Sequence, residues 1–124
     1  MAKQRLATDW PVAAEKRLRE GILAMGLSLD DATIARLMTF LAGLVKWNQA
    51  FNLTAIRDPL TMVDKHLLDS LSLLPLISAD SLIDIGTGAG LPGFVLALVN
   101  PEQDITLLDS NGKKTRFLKQ MAAD

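Results

Sequence analysis

In Leu82-Ile83-Asp84-Ile85-Gly86-Thr87-Gly88-Ala89-Gly90-Leu91-Pro92-Gly93 a short apolar strand carrying one carboxylate runs into a glycine-dense turn. Leu82, Ile83 and Ile85 have the character of a buried strand, and the apolar segment from Leu91 to Val99 has helical length and is stopped by Asn100-Pro101. The glycines therefore stand between a strand and a helix. There they can take positive φ and bring peptide N–H groups close to a bound molecule, at a helix N-terminus whose dipole favours negative charge.

Two registers fit the turn. Gly86, Gly88 and Gly90 give G-x-G-x-G, the style of adenosylmethionine-binding loops, whereas Gly88, Gly90 and Gly93 give the G-x-G-x-x-G of dinucleotide sites. The second would force Gly86-Thr87 into the strand; the first puts Gly86 directly after Ile85 and is favoured. Asp84 agrees with it, since a carboxylate in an apolar strand costs several kcal/mol unless partnered. Either a ligand ammonium or the N–H groups of its own loop would serve. A second strand, Asp104 to Leu108, ends at Asp109, 23 positions beyond Gly86. An acid there can accept hydrogen bonds from ribose hydroxyls; as a plain structural residue it would cap the helix that starts near Gly112. Lys113, Lys114, Arg116 and Lys119 follow as a basic stripe, either a solvated face or a contact for RNA phosphates.

Upstream the period is helical. Val12 to Met25 carries Leu18, Ile22 and Met25 at spacings of four and three, with Gly26 as the stop. Ser28, Asp30 or Asp31 can cap a second helix with apolar positions Ile34, Leu37, Met38, Leu41, Leu44 and Val45, continued by Asn48. Asp58-Pro59 opens a third, striped by Leu60, Val63, Leu67 and Leu71 and ended by Pro75. The expected organisation is a helical segment over 1–78, then an α/β segment over 79–124 with strand 81–85, helix 92–99, strand 104–108 and helix 113–121. A parallel crossover of this kind is right-handed. Two strands make an incomplete sheet, because parallel strands need both faces covered and their edges paired.

Composition narrows the class. The chain has 124 residues, 49% of them hydrophobic, with a formal net charge of −1, no cysteine and one histidine. A core is affordable at that length; disulfides and thiolate sites are absent, and one histidine argues against a metal centre. The polar N-terminus and the lack of any long apolar run predict a soluble, cytoplasmic chain with no membrane partner. The charge balance carries no global nucleic-acid signature, so any RNA contact is local.

The chain resembles the RsmG (GidB) family, the bacterial 16S rRNA guanine-N7 methyltransferases. The resemblance runs from about Ser28 onward through Lys46-Trp47-Asn48, Phe51-Asn52-Leu53-Thr54, Arg57-Asp58-Pro59, His66-Leu67-Leu68-Asp69-Ser70, the 84–93 loop and Leu107-Leu108-Asp109-Ser110. It implies a class I, Rossmann-like methyltransferase fold with an N-terminal helical extension, and S-adenosylmethionine as cofactor beside Gly86 and Leu91. Asp84, Gly88, Gly90 and Asp109 complete the expected cofactor set. It also implies further strands, a second adenosine-contacting segment and an active-site arginine beyond Asp124, so that the chain alone is expected to bind cofactor weakly and not to turn over.

Side chains that would meet a small-subunit rRNA substrate each have a structural rival. Trp47 stacks on a base or packs in the core, where its helical spacing from Leu44 and Leu41 points. Asn52 and Thr54 face the cofactor loop or brace a turn. His66, with Asp69 on the same helical face, contacts substrate or is a hydrogen-bonded structural histidine; Lys113 and Arg116 meet phosphates or water. Two other functions compete: a nicotinamide-dependent oxidoreductase using Gly88, Gly90 and Gly93, and a non-catalytic RNA- or ribosome-associating remnant.

Overall fold

A computed structural model describes residues 2–74, 81–85, 91, 93–100, 104–108 and 112–123. These are mostly helical. Helix α1 spans Ala2–Ala24 and α2 spans Asp31–Phe51. Helix α3 is composite: an α-helical start at Pro59–Met62, a π-helical turn over Val63–Leu68 and an α-helical end at Asp69–Leu71. Strand β1, Ser81–Ile85, is followed by α4, Gly93–Val99, then by β2, Asp104–Leu108, and α5, Gly112–Ala123. The strands pair in parallel, with Ser81 opposite Asp104 and Ile85 opposite Leu108.

Helix boundaries follow local chemistry. The Asp30 carboxylate accepts from Thr33 N–H at 2.8 Å, the bond an N-cap makes to the third helical residue. The Thr33 side-chain hydrogen bond and then this backbone bond hold the Asp30 pKa below its ordinary value. Asp58 caps α3 in the same way through Thr61 N–H and Oγ1, with Pro59 at the first helical position. At the end of α1, Gly26 N–H donates to Leu23 C=O and Leu27 N–H to Ile22 C=O, both at about 3 Å, around a Gly26 φ of +74°. That pair of bonds is a Schellman stop, and the positive φ is why glycine stands there.

Three expectations need correction. The first helix starts at Ala2 rather than Val12 and carries Pro11 in its interior. Proline removes one donor and normally breaks a helix; here the preceding Trp10 is buried in the core, and tertiary packing holds the segment helical across the missing bond. The third helix is not uniformly α, because residues 63–68 wind more widely. Val63, Leu67 and Leu71 are nonetheless all buried, whereas Leu60 is only half-buried. The helix expected from Pro92 runs from Gly93; Pro75, and Pro92 itself, lie outside the described residues.

One core joins the elements. Leu18 and Ile22 of α1, Leu37, Phe40, Leu41 and Leu44 of α2, Met62, Val63, Leu67 and Leu71 of α3, Phe94 and Val95 of α4, and Phe117 and Leu118 of α5 belong to a single buried cluster. Aromatic contacts thread it: Phe40 stacks on Phe94 with centroids 5.2 Å apart, and meets Phe117 at 5.8 Å. Such pairs contribute about 0.5–1.5 kcal/mol each beyond their buried area. Arg36 Nε also donates to the Leu98 carbonyl at 3.3 Å, tying α2 to the last turn of α4. Arg17 clamps Asp64 with contacts of 2.9–3.2 Å between α1 and α3, but both side chains are about half exposed, so the pair contributes little.

Candidate functional site

Ile85 and Leu108 are register partners at the carboxyl-terminal edge of the two parallel strands. Ligands of open parallel α/β sheets bind outside that edge. Gly86, Gly88, Gly90 and Asp109 themselves lie outside the described residues. Asp84 is in β1, its backbone opposite Leu107. Leu91, at the approach to α4, is half-buried and packs against the core.

Leu91 lines a hollow of about 380 Å³ together with Lys65, His66, Asp69, Ser70, Ser72 and Leu73. The structure thus brings together two residues singled out from sequence, His66 and Leu91. The π-helical turn carries Lys65 and His66 into this hollow; such widened turns occur often at functional sites. Its lining mixes apolar surface with hydroxyls, one cation and one carboxylate, a combination suited to a ligand with both a nucleoside-like and a charged part.

A hydrogen-bond chain from the end of α2 supports His66. Asn48 is buried in the α2 stripe, where its Oδ1 accepts from Thr54 N–H at 2.8 Å and its Nδ2 donates to Ile56 C=O at 3.3 Å. Thr54 Oγ1 accepts from Ile56 N–H at 3.2 Å and is 2.8 Å from His66 Nε2. Burial pushes the His66 pKa down, against the hydrogen bond its ring donates to the Lys65 backbone carbonyl and the charge of Asp69, which push it up. In the neutral tautomer protonated at Nδ1, Nε2 accepts from the Thr54 hydroxyl. Of the two roles open to each residue, Thr54 braces the turn and touches His66, and His66 is a hydrogen-bonded half-buried group at the wall of a hollow.

Asn52 takes a left-handed conformation, φ 51° and ψ 56°, as the C-cap of α2; its exposed side chain accepts from Arg57. It lines no hollow shared with Leu91 among the described residues. Arg116 is exposed on α5, the helix that also contains Lys113, and is not among the residues lining the Leu91 hollow. Trp47 is half-buried, packed at 5.4 Å on Phe51 and 5.7 Å on Phe117. Among the described residues no group of three or more His, Cys, Asp or Glu could hold a metal, and no helix is long and apolar enough to cross a membrane.

Sequence reasoning passed over Asn48 as a bracing residue, although a polar side chain in an apolar stripe was the available signal. It also missed Lys65, Ser70, Ser72 and Leu73, for which residue spacing offered none, because what brings them together with Leu91 is tertiary packing.

With this geometry in view, the comparisons with known proteins are informative. Residues 33–124 match the family model described as rRNA small subunit methyltransferase G. A relative from Marinobacter nauticus, named ribosomal RNA small subunit methyltransferase G, is 58% identical over 112 residues, 90% of this chain and 50% of the relative. Proteins of the same name from a Marinomonas species and from Acinetobacter baumannii are 59% and 54% identical, over 84% and 88% of this chain and 50% and 52% of theirs. The chain spans about half the length of these curated relatives.

Proposed function

The chain belongs to the rRNA small subunit methyltransferase G family, and on that premise we propose that it serves S-adenosylmethionine-dependent methylation of a guanine N7 in small-subunit (16S) rRNA. The observation that carries the proposal is the hollow that His66 and Leu91 line together. The succession β1, α4, β2, α5 is then the opening unit of a class I, Rossmann-like methyltransferase domain over 79–124, preceded by a helical segment over 1–78. Gly86, Gly88 and Gly90 would let backbone approach the cofactor, Leu91 would pack against it, Asp84 would hold its charged end and Asp109 its ribose. A volume of about 380 Å³ is at the small end of ligand sites, and its mixed lining fits this group.

When bound, the cofactor supplies an electrophilic methyl group. Guanine N7 already presents a free lone pair as an acceptor in the major groove, so no side chain has to remove a proton first. The chain's contribution is orientation, which in favourable cases lowers a barrier by about 7–11 kcal/mol. His66 suits such a role: with Nε2 engaged by Thr54, its ring is fixed at the wall rather than free to shuttle protons. The substrate-facing residues in this scheme are His66 and, along α5, Lys113 and Arg116, with Asn52 near the α2 end; the enzyme would work in the cytoplasm.

Thermal melting with added ligand tests the reading. S-adenosylhomocysteine should raise the melting temperature and NAD should not, because a ligand bound only by the native state stabilises it by about 2.7 kcal/mol at a hundredfold excess over Kd. Protection by NAD alone would overturn the assignment.

A further inference from the structure

Away from the Leu91 hollow, a groove of about 500 Å³ runs between α2 and α5. It is lined by Thr39, Ala42, Gly43, Lys46, Trp47, Ala50 and Phe51 on one side and Gln120 and Met121 on the other. Resting on the reading of the chain as an RNA-modifying one, we propose that this groove is a docking site for single-stranded RNA, with a base against Trp47 and the neighbouring phosphates met by Lys46 and the cations of α5.

The groove's width is set by a close approach. A Cβ on Gly43 would stand 2.4 Å from Met121 Sδ, so glycine lets α5 lie tight on α2 at this point. Beside it Trp47 is anchored on Phe51 and Phe117 and remains half-exposed toward the groove. A pre-positioned indole of this kind loses little side-chain freedom when a base stacks on it.

Charge complementarity identifies the occupant. Lys46 is exposed and is the one ionisable residue of the lining. Helix α5 contains two lysines at its start, Arg116 and Lys119, and no acid anywhere along Gly112–Ala123. Arg116 and Lys119 are both exposed, and Arg116 shares a helical stripe with Gln120 of the groove. On α2 the only acid is Asp31, at the far end from Lys46. The described lining thus places one cation and no carboxylate beside an aromatic platform, with Arg116 and Lys119 exposed on the adjoining helix. Aromatic stacking combined with a cationic track is the chemistry that binds unpaired nucleic acid, whose bases are free to leave the stack.

The test uses the chain with Trp10 replaced by phenylalanine, so that its emission reports Trp47 alone. Single-stranded RNA should quench that emission. Binding followed by anisotropy should weaken about 5- to 100-fold in Trp47→Leu and recover most of that loss in Trp47→Phe, which keeps the ring and guards against misfolding. Lys46→Ala should reduce the salt slope by about 0.7, one phosphate contact on a single strand. The proposal is overturned if the parent chain binds no single-stranded RNA, if Trp47→Leu binds as the parent does, if duplex RNA binds equally with the same response to Trp47, or if anionic phospholipid vesicles compete as well as RNA. Protection by S-adenosylhomocysteine in the same preparations decides the methyl-transfer reading separately: the groove can fail while protection persists, and protection can fail while RNA still quenches Trp47.

Discussion

His66 sits between two opposing influences. Burial disfavours its charged form, while the Lys65 backbone bond and Asp69 favour it, and burial prevails. The consequence for stability follows from proton uptake. Just below the ordinary histidine pKa of about 6.5 the unfolded chain binds a proton that the folded chain does not, so stability should fall as pH drops through that region. Because this is the chain's single histidine, the effect is assignable: His66→Gln should flatten the pH dependence of the melting temperature between neutral and mildly acid pH. An unchanged profile would place the titration elsewhere. The residues most legible in the sequence act locally. Asp30, Asp58 and Gly26 do what their types do at helix ends, and each does so through atoms within five positions along the chain. The Thr54 to His66 contact spans twelve positions and was visible only as two candidates with open roles.

At the scale of elements, α1 and α3 approach tightly at Gly21. A Cβ there would meet Leu68 Cδ1 at 2.4 Å and Cγ at 3.1 Å, within the π-helical turn. In an isolated helix Gly→Ala gains about 0.5–1 kcal/mol. Here the extra methyl must push Leu68 out of its seat, and overpacking costs about 1–3 kcal/mol. Gly21→Ala should therefore destabilise by about 1 kcal/mol in denaturant melts, and the double variant Gly21→Ala with Leu68→Ala should show strong non-additivity, since the two side chains compete for one volume. The π-helical turn itself was not legible. Val63, Leu67 and Leu71 satisfy an ordinary helical stripe, and residues of the widened turn make contacts distant in the chain, Leu68 beside Gly21 and His66 with Thr54. The start of α1 was misjudged for a related reason. Pro11 argues locally against helix, and the burial of Trp10 outweighs it.

At the scale of the whole molecule, stability depends on α2 packing against both helices that flank β2. Phe40 touches Phe94 of α4 and Phe117 of α5, and all three rings are buried. Phe40→Ala should cost about 3–5 kcal/mol, a large part of the 5–15 kcal/mol that a domain of this kind possesses. The far-ultraviolet melt should shift to much lower temperature, whereas retention of the parent transition would show that the two parts of the chain are stable independently. By itself the sequence determined the Asp58 cap, the Gly26 stop and the apolar stripes of α2 and α3, because all of these depend on contacts within a few residues or on the spacing of polar and apolar side chains. Tertiary structure alone decided that Phe40, Phe94 and Phe117 form one core, that Trp47 walls a cationic groove between α2 and α5, and that His66 and Leu91, 25 positions apart in the chain, line one hollow. Those juxtapositions are fixed by how faces of separate elements fill space against one another, and no local pattern encodes which face meets which.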